Sequence, residues 1–407
     1  MLLTRLAFIV ALIATTNSLL AQLHWVKKES FPAEARHRSS AFSIGNKGYV
    51  GGGHINSGVE KTYVDWWEYD PASDSWTQIA DYGGGSRYQM ATFTLNGVGY
   101  AGGGENGTHE YTSDYWKYVP LVNTWFPIAD LPGLPRRGSA SFVVDDIAYV
   151  GLGQSGGPDN GGYELDFYLY DEAGDAWYPI ADFIGTARTG GVGFGYNGKG
   201  YVGTGHMVGA ATKDFFEYNP STDTWTQLAD VDTTLRQDAT GFVLNGKGYI
   251  LTGNDLTGEF NYDDVWEYDF DADTWTLMPE FPGDARRYMV SFVIDNRAYC
   301  GAGTDGTNLN DFWMFDPTYN GIEEQNLVQF ELFPNPANEF VNLRFSDEIN
   351  ELGTTYQLLN TSGKLIHSGS VSEKEIQIDC TPFTGGSYML LIYRGNEVVG
   401  STTLLLK

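Results

Sequence analysis

Six polar side chains recur along this chain at nearly even spacing: His54, Glu105, Gln154, His206, Asn254 and Thr304. Each stands five residues after a Tyr and just beyond a glycine-rich stretch. The positions around them keep a common character, as packing and turn geometry require. This one changes chemistry every time and stays polar. Imidazole and carboxylate groups exchange protons, while amides and hydroxyls donate and accept hydrogen bonds. Gathered on one surface, such a set is equipped to hold a ligand, and the preceding glycines let backbone and ligand approach closely. A second set keeps one residue type throughout: Arg36, Arg87, Arg136, Arg188, Arg236 and Arg286. Guanidinium forks recognise carboxylates through paired hydrogen bonds, so these are ligand-binding candidates beside the first set. An Asp follows each, at Asp65, Asp114, Asp166, Asp214, Asp264 and Asp311. The same pairing serves as a structural tether, and a sixfold recurrence suits six equivalent junctions better than one active site.

Other chemistries have weaker support. His54, His109 and His206 fall on loops at one end of their units, but zinc needs three or four ligands converging at about 2 Å, and nothing in their spacing makes a compact centre. Asp269-Phe270-Asp271-Ala272-Asp273 starts like a calcium loop yet lacks the Gly and downstream Glu of an EF-hand. Its counterparts Asp70–Asp74, Asp171–Asp175 and Asn219–Asp223 read as turns in which Asp and Asn bond their own backbone. Cys300 takes the place of Val50, Ala101, Val150, Val202 and Ile250, where a small buried hydrophobe belongs. No serine nucleophile elbow, phosphate loop or metalloprotease motif occurs. No cofactor and no metal is expected, and carboxylates are too numerous for any pair to stand out as acid and base.

The elements that position these residues come from a repeat. Trp25, Trp76, Trp125, Trp177, Trp225 and Trp275 recur every 48–52 residues, the mark of stacked supersecondary units. Each unit runs Arg, a strand of small and apolar residues, a tight turn such as Asn245-Gly246, then Tyr with a glycine-rich end. A variable loop follows, then an Asp opening an aromatic strand such as Trp66-Trp67-Glu68-Tyr69, then the repeat Trp. Four short strands per unit predict four-stranded antiparallel sheets set radially as a β-propeller. The order of parts over residues 22–318 resembles kelch repeats. The sixth unit, with Arg286, Tyr299 and Asp311-Phe312-Trp313, has no Trp after it, while Trp25 has no strands before it. Lending the N-terminal strand to the last blade gives six blades and closes the ring. In kelch domains the position of His54 and its five counterparts lines the ligand face, so the resemblance points to the same residues and, less strongly, to the arginines. Galactose oxidase carries a similar propeller, but no pattern here supplies the two His and two Tyr its copper needs.

The pattern stops after Pro317, and 319–326 reads as a linker. Residues 327–407 contain Leu332-Phe333-Pro334-Asn335-Pro336, Val341-Asn342-Leu343, Thr361-Ser362-Gly363-Lys364 and Gly386-Ser387-Tyr388-Met389-Leu390 in order. They resemble the type A C-terminal sorting domain of the type IX secretion system of Bacteroidota, a small β-sandwich. At the other end Arg5 precedes the apolar run Leu6–Ala14, too short to span a bilayer. Residues 1–21 therefore read as a signal peptide cleaved between Ala21 and Gln22. The expected protein is all-β, with a six-bladed kelch propeller followed by this sandwich, and is secreted or attached to the outer-membrane surface with no transmembrane segment.

Charge narrows the partners. Lys plus Arg number 24 against 52 Asp plus Glu, a net charge of −28, which disfavours nucleic acid and anionic lipid. Two cysteines far apart form no disulfide framework despite export. The expected partners are an extracellular glycan or protein and the type IX machinery. A binding role is favoured over catalysis, and a carbohydrate-active enzyme resembling sialic acid epimerases is the alternative. The enzyme would require a deep axial pocket holding a desolvated acid or His.

Overall fold

The computed structural model describes residues 24–55, 60–156, 161–231, 234–255, 257, 260–318, 330–345, 354–360, 364–394 and 397–407. The expected signal peptide with its Ala21/Gln22 cleavage site, the expected linker at 319–326 and the Thr361-Ser362-Gly363 phrase lie outside these. The chain divides into two compact units, Met1–Gly321 and Ile322–Lys407.

In the first unit each repeat folds on itself. Ser40–Ile44, Lys47–Gly51, Trp66–Asp70 and Ser75–Gln78 form one antiparallel sheet in chain order, and four more sheets follow the same plan through Thr274–Met278. A sixth sheet takes Val290–Ile294, Arg297–Gly301 and Phe312–Phe315 from the last repeat and Trp25–Lys28 from the other end, with Trp25 opposite Phe315. Turn chemistry sets the hairpins: Asn245 and Gly246, like Asn96 and Gly97, both carry positive φ, the backbone that fits the twist of a two-residue hairpin. The first strands neighbour one another in a closed order. Ser40–Ile44 lies beside Ala91–Leu95 on one side and Val290–Ile294 on the other, and the remaining three link those two. A 3-10 turn, Pro120–Val122, lies between two strands of the second sheet.

Aromatic residues fill the space between successive sheets. Phe42, Tyr49 and Trp66 of one pack with Tyr118 and Trp125 of the next. Such wedging needs close approach: a Cβ on Gly48 would stand 2.1 Å from the Phe292 ring of the adjacent sheet. Every repeat Trp after Trp25 reaches back to the chain of the preceding blade unit, as in Trp125 Nε1 to Ala80 O (3.1 Å) and Trp225 Nε1 to Ala181 O (3.0 Å). The same alanines donate their N–H groups to turn residues such as Asn123 and Asp223. The calcium-like run is one of these turns: Asp273 accepts from Ala229 N (2.9 Å) and Tyr268 Oη (2.7 Å), and Asp269 accepts from the N–H groups of Asp271 and Ala272. Cys300 is buried in the core, and burial pushes its thiol pKa up.

The second unit pairs a three-stranded sheet (Phe330–Phe333, Phe340–Phe345, Glu375–Asp379) with a four-stranded one (Leu365–Ser370, Thr354–Asn360, Gly386–Arg394, Glu397–Leu406). Val341, Leu343 and Ile378 from one and Leu358, Leu390 and Leu404 from the other share a single core.

Candidate functional site

The six arginines are structural, and they leave the ligand-binding set. Each is almost wholly buried, and each grips the Asp that opens the third strand of its own sheet. Arg36 reaches Asp65 through both Nη atoms (2.6 and 3.2 Å), and Arg236 reaches Asp264 likewise (2.7 and 2.6 Å). Nη1 of every one also donates to the backbone carbonyl sixteen residues on, from Gly52 through Ala302. Their own carbonyls accept from the preceding sheet: Gly53 N to Arg87 O is 2.8 Å, and the series returns to its start with Gly303 N to Arg36 O at 3.2 Å. Four of the aspartates are further held by the indole two residues on, as Asp65 is by Trp67, and Asp166 by the Tyr168 hydroxyl. Burial alone would raise the pKa of Asp65 and Asp311, but Arg36 and Arg286 with these indoles hold both carboxylates below the ordinary range.

The two residues after each arginine build the site. The first pairs its backbone with one of the six sequence-predicted positions: His37 with His54, Tyr88 with Glu105, Arg137 with Gln154, Thr189 with His206, Gln237 with Asn254 and Arg287 with Thr304. The second turns into the left-handed region in every repeat: Arg38, Gln89, Gly138, Gly190, Asp238 and Tyr288 have φ between 54° and 64°. Four of the six are not glycine, and backbone of this kind persists only where its surroundings impose it. Here a run of hydrogen bonds does so, from Gln89 N to Arg38 O, then Gly138 to Gln89, Gly190 to Gly138, Asp238 to Gly190 and Tyr288 to Asp238, at 2.9–3.2 Å. These residues form a collar. Outside it lies a cavity of about 290 Å³, bordered by collar side chains together with Arg137, Gln154, Tyr163, Thr189, His206 and Gln237. A smaller space of about 130 Å³ shares Arg38, Gln89, Asp238 and Tyr288 with it, and shares Ser39 and Met289 with a third of about 300 Å³ lined also by Thr92, Ser141 and Ser291.

Of the sequence-predicted set, Gln154 and His206 face this cavity. Glu105 stands behind it, buried, and binds the Arg137 guanidinium, which also donates to Gln154 Oε1 (2.9 Å). His54 is buried, stacks on Tyr88 at 4.6 Å between centroids and meets Glu60 at 2.9 Å. Asn254 is buried, its Oδ1 lacking a partner among the described residues. Thr304 is tied to its own loop through Thr307 O and Gly306 N. His109 is exposed between Glu105 (2.9 Å) and Glu60 (3.5 Å). Among the described residues, no group of three or more His, Cys, Asp or Glu is arranged to hold a metal ion.

The sequence reading missed Arg38, Gln89, Asp238 and Tyr288. Their signal was available, since the residue two places after the Arg also varies, being Arg, Gln, Gly, Gly, Asp and Tyr in turn. Arg38 is the cation of the cavity that no carboxylate neutralises by direct contact among the described residues. Its Nη2 donates to Tyr288 Oη (2.7 Å), its guanidinium lies 4.3 Å from the Tyr288 ring centre, and its Nε has no partner. Asp238 is 8% exposed, and burial lifts its pKa to about 6 against the pull of Arg38 and the Tyr288 hydroxyl. Burial also lowers the pKa of His54 and His206, so both are neutral at pH 7, whereas the Glu105 hydrogen bond and the Glu60 charge raise that of His109.

Comparison with known proteins assigns the second unit. Residues 331–405 match the family model described as a secretion system C-terminal sorting domain. That domain marks a protein exported by the type IX system and either secreted or held at the outer membrane. No helix among the described residues is long and apolar enough to cross a membrane. No curated protein matches the chain. Among solved structures, one titled "Structure of YjhT" superimposes with a TM-score of 0.62 at 18% identity, over 72% of this chain and 98% of that one. At that identity the likeness is one of fold, and the fold is propeller-like.

Proposed function

We propose that residues 22–318 form a six-bladed kelch propeller closed by its N-terminal strand, and that its axial cavity binds a carboxylated, polyhydroxylated ligand outside the cell. In this reading residues 1–21 are the signal peptide, 319–326 the linker and 327–407 the sorting domain. The closed order of first strands and the return of the backbone tethers from Gly303 to Arg36 support six blades. One observation carries the ligand class: Arg38, a half-buried cation with no carboxylate in contact, opens onto a cavity bordered by Gln89, Gln154, Gln237, Tyr163 and Tyr288. A guanidinium binds a carboxylate, amides match hydroxyls, and tyrosine faces pack on sugar rings. A cavity of about 290 Å³ lies at the small end of ligand sites, which favours one terminal sugar over a protein surface. A screen of acidic and neutral glycans followed by calorimetry tests this. Acidic sugars should bind, and Arg38→Ala should weaken them about 10- to 100-fold, the loss of a hydrogen bond to a charged group. Retention of neutral glycans alone would defeat the reading.

Asp238 favours a second reading, a carbohydrate-active enzyme, because it is the desolvated acid in an axial pocket which that alternative requires. Incubating the protein with the sugars that bind, and following their conversion by NMR, distinguishes the two. Conversion abolished by Asp238→Asn supports the enzyme, and sugars left unchanged support binding alone.

A further inference from the structure

Asp238 is a buried carboxylate that no cation pairs directly among the described residues. The Tyr288 hydroxyl, which accepts from Arg38 Nη2 (2.7 Å), and the Arg38 charge both pull its pKa down against burial. Behind the carboxylate is Gly190, where a Cβ would stand 2.5 Å from Asp238 Oδ1, so no side chain fills that side. Arg137 and Arg287 act on it from farther off. His37 stacks on the Tyr288 ring at 5.5 Å, and His206 borders the same cavity. The positive field of Arg38 is the largest of the influences that favour the ionised state of Asp238.

Resting on the reading of this cavity as an anion-binding site, we propose that Arg38, Tyr288 and Asp238 take up the ligand together with a proton. A carboxylate arriving from the cavity at the half-buried Arg38 guanidinium cancels the charge that stabilises the Asp238 anion and adds a second negative charge nearby. Two buried carboxylates beside one cation do not both stay ionised, so solvent supplies a proton to Asp238. No covalent bond is made or broken beyond the new Asp238 O–H. Linkage sets the sign: the complex holds more protons than the free protein, so affinity rises as pH falls toward 6 and levels off below it.

The probe is glucuronate, ionised throughout the range, with glucose as its neutral control, titrated calorimetrically into the full chain between pH 5.5 and 8. Glucuronate affinity should fall by up to about tenfold per pH unit above 6. Heats measured in buffers of different ionisation enthalpy should show protons taken up, close to one per ligand near pH 7. Asp238→Asn, neutral at every pH, should bind more tightly than the parent at pH 8 and lose both the slope and the proton uptake. A slope that survives in that variant would assign the proton to His206 or His54 and overturn the proposal. Binding without proton uptake removes this inference and leaves the ligand reading standing. No glucuronate binding at any pH removes both. A second measurement needs no ligand: the carbon-13 titration of Asp238 should shift to higher pH in Arg38→Gln and stay near the parent value in Arg38→Lys. An unchanged Asp238 titration in Arg38→Gln also overturns the proposal.

Discussion

Two arginines two residues apart, Arg36 and Arg38, have opposite fates because of what surrounds them. Arg36 is buried and fully engaged by Asp65 and by the Gly52 and Glu34 carbonyls, whereas Arg38 is half-buried and its Nε has no partner among the described residues. Removing one partner of a buried pair strands the other, so Arg236→Ala should cost about 3–5 kcal/mol in denaturant unfolding. Gln154→Ala, on the cavity wall, should change stability by less than about 1 kcal/mol. Protons bear on both carboxylate types in opposite directions. Asp65 and Asp311 have depressed folded pKa values, so their stabilisation is present above the unfolded value of about 4 and disappears as pH falls below it. Asp238 is raised from 3.8 to about 6, so the folded state binds the extra proton and stability declines as pH rises through that window. Asp238→Asn should accordingly raise the melting temperature at pH 7.5 and do little at pH 4. At Gly190 a methyl group meets both a φ of 64° and Asp238 Oδ1 at 2.5 Å, so Gly190→Ala should displace that carboxylate and weaken ligand binding about tenfold or more.

At the scale of elements, a sheet is finished only when its outer strand is in place. Trp25–Lys28 supplies that strand for the last repeat, and Trp25 packs on Phe281 and Phe315 at 5.0 and 4.7 Å between centroids. Deleting residues 22–31 should open the Phe312–Phe315 edge to pairing with other chains. It should lower the melting temperature and produce concentration-dependent aggregation by light scattering. A truncated protein that melts with the parent would show that the sixth sheet does not need this strand. Sheet stacking is equally specific. Gly48→Val drives a branched side chain into Phe292, 2.1 Å from where its Cβ would sit, and overpacking of this kind costs at least about 1–3 kcal/mol.

For the whole molecule, the second unit carries the address. The 331–405 match to a sorting domain concerns transport alone, and its shared core of Val341, Leu358 and Leu390 belongs to its own two sheets. Residues 327–407 fused to an exported reporter should carry it across the outer membrane of a type IX-competent host, read by protease accessibility on intact cells. A fusion retained in the periplasm would show that sorting needs more of the chain.

Strand number, turn positions and the alternation of repeated units are local properties, and the chain declares them. Period-2 burial, Asn-Gly turns and the recurring Trp act over a few residues, so His54, Glu105 and their counterparts could be placed at strand ends without coordinates. Which of those six reach the cavity was not local. Glu105 and His54 share the register of Gln154 and His206, yet Arg137 and Tyr88 from other strands cover them. The collar was even less legible. Arg38, Gln89, Asp238 and Tyr288 are distant in sequence, and hydrogen bonds between different sheets bring them side by side. Only that closure places an arginine without a carboxylate, a tyrosine and a buried aspartate around one space. The pKa of Asp238 is therefore a consequence of tertiary structure, because desolvation and the field of Arg38 depend on which sheets meet and not on the residues beside it in the chain.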